Sequence, residues 1–279
     1  MIIDAHTHLP TSSKQQCEEG YKKLEKQMDQ AGIDYAIAIS MFGENYNPKI
    51  DSENLIETCQ KHPRIFPVAT FDNDYPEESV KTLTELLGED AVVGVKFFPG
   101  YQHFYPTSDQ IKPVLNLAEH KGIPVIFHTG ATAKDKKTRL KFCSDPYSLD
   151  EIAYAHPDLK IVAAHFNSPN FIQMAQVLEN CPNMYADLSA LFLGAPDYSE
   201  NAYIPTLIRT LYDGISYLDD TSRLMFASDH PFCSIKDHLS FIKKIFREEF
   251  GLEDIPMILS DNAKKCFNLK LEKNDNSTD

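Results

Sequence analysis

Residues 2–8 read IIDAHTH. Two histidines one residue apart, His6 and His8, follow an apolar pair and an acid. On an extended strand, side chains two apart project to the same side. Both imidazoles can therefore face one point. Three more polar residues close apolar runs in the same way: His128 in IPVIFH, His165 in KIVAAH, and Asp229 directly after RLMFAS. Lys96 lies near the end of AVVGVKFF. Taken singly, each has an ordinary explanation. A strand-end histidine is usually a hydrogen-bonded side chain, Asp229 can cap a helix, and Lys96 can neutralise nearby acids. Taken together, imidazoles and a carboxylate form the donor set of a divalent zinc-like ion. The expectation is a metal site, with zinc first, manganese second, and one or two ions.

Eight short apolar, β-branched runs place these residues: MIIDAH (1–6), YAIAIS (35–40), IFPVATF (65–71), AVVGVKFF (91–98), IPVIFH (123–128), KIVAAH (160–165), NMYADLS (183–189) and RLMFAS (223–228). Most are apolar almost throughout, as strands buried on both faces of a parallel sheet are. Helical patterns lie between them. Tyr21, Leu24, Met28 and Ala31 form one stripe before Gly32, and Val80, Leu83, Leu86 and Leu87 another between Pro76 and Gly88. Asp145 with Pro146, and Ser168 with Pro169, read as helix starts. Two helices are expected after the eighth strand, near 234–250 and 255–268. The alternation predicts an α/β fold, a (β/α)8 TIM barrel in one domain over residues 1–270 with extra C-terminal helices. The polar tail 271–279 is expected to be disordered. A doubly wound sheet would carry a glycine-rich phosphate loop, and no G-x-G-x-x-G or Walker A run is present.

The formal net charge of −14 argues against a nucleic-acid partner and against an anionic membrane surface. No apolar run approaches a membrane span. The six cysteines, at 17, 59, 143, 181, 233 and 266, form no C-x-x-C pair and read as reduced thiols. A cytoplasmic setting is expected.

The combination of DAHTH, HTG after strand five, His165, SDHP after strand eight and a final SDNAKKCFNL helix resembles the amidohydrolase superfamily. Within it, the closer resemblance is to the amidohydrolase-2 branch of metal-dependent hydrolases and decarboxylases. It spans nearly the whole chain. The resemblance implies that His6, His8, His128 and Asp229 hold one metal beside an activated water. It further implies that Asp229 is the general base and that His165 orients or polarises the substrate. In binuclear relatives a strand-four lysine is carboxylated and bridges two ions, with the strand-five and strand-six histidines on the second. Lys96 and His165 stand at those positions.

Other candidates carry less. His103, after strand four, and His230, beside Asp229, are on the active side, where substrate contact and a plain loop role compete. His62 and His156 end helices and read as surface residues, while His120 and His238 sit within helical patterns. The loops after strands four, five and seven are expected to shape the pocket, with Tyr101, Phe104 and Tyr105 as possible walls. The strand-five loop TGATAKDKKTRLKF is basic and can attract a carboxylated substrate or simply be solvated. Cys143 and Cys233 lie in active-side loops without a nucleophile motif. Three functions compete for a small-molecule substrate: hydrolysis of an amide, lactam, lactone or ester; decarboxylation of an aromatic or unsaturated acid; and metal binding without catalysis. Homo-oligomerisation is left open.

Overall fold

The computed structural model describes residues 1–41, 46–132, 137–191, 203–253 and 255–271. Strands β1 (Ile3–Leu9), β2 (Tyr35–Ser40), β3 (Ile65–Thr70), β4 (Gly94–Phe97), β5 (Val125–His128), β6 (Ile161–Ala164), β7 (Met184–Asp187) and β8 (Leu224–Met225) pair in sequence order, all parallel. The helices are α1 (Lys14–Ala31), α2 (Pro48–Lys61), α3 (Pro76–Gly88), α4 (Pro99–Gln102), α5 (Lys112–Lys121), α6 (Tyr147–Ala155), α7 (Phe171–Asn180), α8 (Ile204–Tyr217), α9 (Ile235–Phe250) and α10 (Asn262–Cys266). The predicted barrel and its C-terminal helices are present. No described helix is long and apolar enough to cross a membrane.

The chain beyond β8 closes the sheet on β1. Ala5 N donates to Phe226 O at 3.0 Å, Asp229 N to His6 O at 2.8 Å, and His8 N to His230 O at 2.6 Å. Closure therefore runs through the residues at the ends of the two strands that carry His6, His8 and Asp229.

Two hydrophobic layers result. The outer one joins strands to helices; Leu24 and Met28 of α1 and Leu83 and Leu87 of α3 are buried in it. The inner one fills the barrel with Ile3, Ala5, Ile37, Val68, Ile126, Val162, Tyr185 and Met225, and its foot is stopped by Ala263, Cys266, Phe267 and Leu269 from α10 and the turn after it. Lys160 Nζ holds that stopper, donating to Lys265 O at 2.9 Å and Cys266 O at 3.0 Å, where helix carbonyls lack partners.

Local details differ from the sequence reading. Helix α1 begins earlier, where the Ser13 side chain accepts from Gln16 N. Helix α7 begins after Asn170, not at Ser168, because Ser168 N is bonded to His165 O in the preceding turn. Asp145 does meet the start of α6, accepting from Tyr147 N at 3.0 Å. The tail 272–279 lies outside the described residues. All six cysteines are buried thiols outside any disulfide.

Candidate metal centre

Most polar residues at the mouth continue the inner layer upward by one step of two. Ile126 is followed by His128, Tyr185 by Asp187, Ala227 by Asp229, and Gly94 by Lys96. The pleat thus turns an apolar interior into a polar rim. β1 breaks the rule. Ile3 and Ala5 face the inner layer, so regular alternation would send His6 and His8 outward with Asp4. The pairing with β2 advances three residues from Asp4 to Thr7 against two from Ala36 to Ala38. This one-residue bulge switches the parity, turning His6 and His8 inward and Leu9 out to α1. Asp4, left beneath, accepts from Ser228 N at 2.9 Å and His6 N at 3.3 Å and ties the bulge to the β8 extension. Burial raises the Asp4 carboxyl to about 7.

Three donors converge. His6 Nε2 lies 3.2 Å from His8 Nε2 and 3.5 Å from Asp229 Oδ1, and His8 Nε2 lies 3.1 Å from the same oxygen. Nitrogen and oxygen donors around one tetrahedral zinc stand roughly 3.4 Å apart. The Asp187 carboxylate accepts from His6 Nδ1 at 2.8 Å, which places the His6 proton on Nδ1 and the lone pair of Nε2 in the cluster. Burial, with Lys96 nearby, lowers the His6 pKa to about 3, so the ring is neutral at pH 7. Burial opposes charge on Asp229, but the hydrogen bond from His8 and the nearby imidazoles outweigh it and hold the carboxyl well below its usual range. A neutral His6 imidazole with an ionised Asp229 carboxylate fits a divalent cation.

His165 and Asp229 both adopt left-handed backbone, at φ 65° and 68°. For a non-glycine residue this costs about 1–2 kcal/mol, a strain concentrated where function fixes the chain. A second grouping of His6, His165 and Asp187 is occupied by the Ser189 hydroxyl, 2.7 Å from His165 Nδ1 and 3.3 Å from His6 Nδ1 and bonded to Asp187 Oδ1. It is a hydrogen-bond network around a side chain. His128 stands apart from both groupings: its Nδ1 is 3.1 Å from His165 Nε2, and its Nε2 is 3.1 Å from Ala131 O. Lys96 Nζ is fully buried, 3.4 Å from His6 Nε2 and 5.0 Å from the centre of the Phe98 ring. Burial brings its pKa down to about 8, against the pull of Asp187 and Asp229.

Above the donors opens a pocket of about 280 Å³, lined chiefly by Met41, Phe98, Tyr101, Ala131, Ala190 and Phe232, with His8, His128, His165 and Asp229 at its base. Phe232 is 57% exposed at the rim. Of the three expected aromatic walls, only Tyr101 lines the pocket. Phe104 is buried against Phe71 and Phe97, and Tyr105 packs on Phe142. His103 turns to the Lys137 carbonyl and the Phe142 ring, and the buried His230 does not line the pocket either. The strand-five loop is tied to the strand-four loop by Arg139 N to Gly100 O at 2.9 Å; its residues 133–136, and 192–202 after β7, are outside the described set. Gly130 lets the strand-five loop pass close to the turn after β6: its φ is +76°, and a side chain there would collide with the Ser168 carbonyl. Burial pushes the Cys143 thiol up to about 11 and the Cys233 thiol to about 12, so neither is a thiolate nucleophile at neutral pH. A larger groove of about 940 Å³ lies at the other end of the barrel, beside Asp34, Arg64 and Lys270, away from every donor.

The amidohydrolase family designated Amidohydro_2 matches residues 3–269. The chain belongs to this family. Membership makes it an enzyme of a metal-dependent family. Similar solved structures include an uncharacterized TIM-barrel protein from Bordetella bronchiseptica, at 19% identity and TM-score 0.68, covering 96% of this chain and 98% of that one. A 5-carboxyvanillate decarboxylase from Novosphingobium aromaticivorans, complexed with manganese, aligns at 14% identity and TM-score 0.65, covering 96% of each chain. A dihydroorotase from Campylobacter jejuni aligns at 19% identity and TM-score 0.60, covering 98% of this chain and 84% of that one. At these identities the likeness is one of fold. No curated protein matches the sequence.

Within this amidohydrolase the sequence reading singled out His6, His8, His128, His165 and Asp229, and all five stand at the same mouth. It passed over Asp187 and Ser189. Their signal was present: NMYADLS ends an apolar run in an acid, as the run before Asp229 does.

Proposed function

We propose that this enzyme hydrolyses a C–N or C–O bond, as in an amide, lactam, lactone or ester, in a small molecule with an apolar body. The observation that carries the reading is the convergence of His6 Nε2, His8 Nε2 and Asp229 Oδ1 beneath the pocket. These residues would hold a divalent cation, and the imidazole-rich set favours zinc, with manganese as the alternative. Such a cation acidifies water and polarises a substrate oxygen. Asp229, ionised and facing the pocket, takes the proton from the attacking water and passes it to the leaving group. His165 and His128 line the base and orient the scissile group. Phe98, Tyr101 and Phe232 surround the apolar body and exclude bulk water. Six thiols outside any disulfide suit a cytoplasmic setting.

One observation favours a second reading, decarboxylation of an aromatic or unsaturated acid. Among the described residues the pocket walls are largely apolar, and no arginine or lysine lines them. A substrate carboxylate there loses hydration and gains by leaving as neutral CO2.

The test is turnover by the metal-loaded enzyme on a panel of amides, lactones, esters and aromatic acids in oxygen-18 water. Labelled product supports hydrolysis. CO2 release without label replaces it with the second reading. Absence of metal-dependent turnover across the panel removes both.

A further inference from the structure

Two residues that the reaction scheme leaves unused, Asp187 and Ser189, lie at the buried centre of the site. Asp187 is 1% exposed and Ser189 is fully buried. Asp187 Oδ2 accepts from His6 Nδ1 at 2.8 Å. Its Oδ1 accepts from His165 N at 2.9 Å, from Ser189 N at 3.1 Å, and from the Ser189 hydroxyl. Ser189 Oγ lies 2.7 Å from His165 Nδ1, and His165 Nε2 lies 3.1 Å from His128 Nδ1. One carboxylate on β7 thus reaches a ring on β1 directly and rings at the ends of β6 and β5 through a hydroxyl.

Counting protons gives the chain a direction. An ionised carboxylate only accepts, and a serine hydroxyl has one proton. With that proton on Asp187, Ser189 Oγ must accept, so the His165 proton sits on Nδ1. His165 Nε2 is then a lone pair, and His128 donates to it from Nδ1. The opposite direction starts from a His128 Nε2 proton on Ala131 O and ends with Ser189 donating to His165. That leaves Ser189 and Asp187 as two acceptors in direct contact beside a buried charge, which costs more than the acceptor pair left by the first direction, His128 Nε2 against Ala131 O at 3.1 Å.

We propose that Asp187 and Ser189 are positioning residues that hold His6, His165 and His128 in the Nδ1–H form. In this form His6 offers its Nε2 lone pair to the donor cluster, and the His128 Nε2 lone pair faces the Ala131 carbonyl at the pocket wall. The inference rests on the metal reading only for its consequence, since the tautomers are a property of the metal-free chain.

Nitrogen-15 labelling of the histidine rings and long-range proton–nitrogen correlation at pH 8, without metal, reads the tautomers directly. The expected result is a proton on Nδ1 of His6, His165 and His128. Ser189→Ala removes the hydroxyl and leaves the His6–Asp187 bond. It should shift His165 and His128 from one form to a mixture, since the Ser189 carbonyl, 3.3 Å from His165 Nδ1, remains as a weaker acceptor, while His6 keeps its pattern. Ser189→Thr restores the hydroxyl and should restore the pattern. Asp187→Asn should disturb all three rings and weaken zinc binding in a competition titration by about 10–100-fold. A wild-type His165 protonated on Nε2, or an unchanged His165 in Ser189→Ala, overturns the proposal. An Asp187→Asn chain that fails to fold leaves the two serine variants to decide. Wild-type protein with Nδ1–H rings that takes up no zinc would instead overturn the metal reading and leave the positioning role standing.

Discussion

The amide of Asp229 donates to the carbonyl of His6 at 2.8 Å, so the acid and the first histidine of the donor cluster are joined by a barrel-closing backbone bond. Site assembly and sheet closure are thus one event, at a seam where β8 contributes only two residues. A cation bound there would clamp the two ends of the barrel sequence, so metal should raise the melting temperature as well as support turnover.

His8→Ala and His6→Ala should separate metal binding from stability. Among the described residues His8 Nδ1 has no hydrogen-bond partner, so truncation removes the metal-donor nitrogen with its contact to Asp229 and breaks no bond on the other side of the ring. Elemental analysis should find metal reduced to below about a tenth of the wild-type content, with circular dichroism unchanged. His6→Ala should lose metal equally and also destabilise the fold by about 1–3 kcal/mol in urea, because Asp187 is left buried without its imidazole. Full metal content in either variant contradicts the assigned donors.

Asp229→Asn keeps the size of the side chain and removes its basicity. Turnover should fall by about 10²–10⁴-fold while KM stays within a few-fold. Steady-state kinetics with metal content matched to wild type makes the comparison, and an unchanged kcat excludes Asp229 as the base.

Acid should destabilise the metal-free protein over a defined window. Burial lowers His238 to about 4, His230 to about 4 and His6 to about 3. Below pH 6.5 the unfolded chain binds protons at these rings and the folded chain does not. Their stabilising contribution is complete above about pH 7 and is lost as pH falls towards 4. Asp4, raised to about 7, acts in the opposite sense as it takes up a proton on folding. Three groups against one give a net loss, read as a melting temperature that falls between pH 6.5 and 4. His238 donates to Leu188 O at 2.6 Å beneath the Asp187–Ser189 pair, and His238→Gln should flatten the curve in this range.

Phe267→Ala tests the stopper at the barrel foot. Phe267 is 3% exposed within the inner layer. Its loss should cost about 3–5 kcal/mol in denaturant titration, with the donor cluster at the other end still binding metal.

The sequence discloses different things to different depths. The strands were readable because burial on both faces demands apolar runs, and each run contains or adjoins a strand of the barrel. The mouth residues were readable because a histidine or acid has no packing reason to end such a run. Asp187 obeys the same rule but escaped notice, since its work is on the far nitrogen of His6, a relation between β1 and β7 that spacing does not encode. His128 was grouped with His6 and His8 by its strand-end position, whereas its nearest ring is His165. The start of α7 was misplaced because Ser168 and Pro169 look like a cap and first turn, while the backbone of Ser168 is already spent on the His165 turn.

The bulge in β1 has a consequence for how the opening motif should be understood. D-A-H-T-H works as a histidine pair only because one surplus residue interrupts the count. Trimming that residue would leave the letters almost intact and rotate both imidazoles away from the mouth, towards the packed helices. A transplant of the motif onto another barrel would need to carry the irregularity along with the histidines.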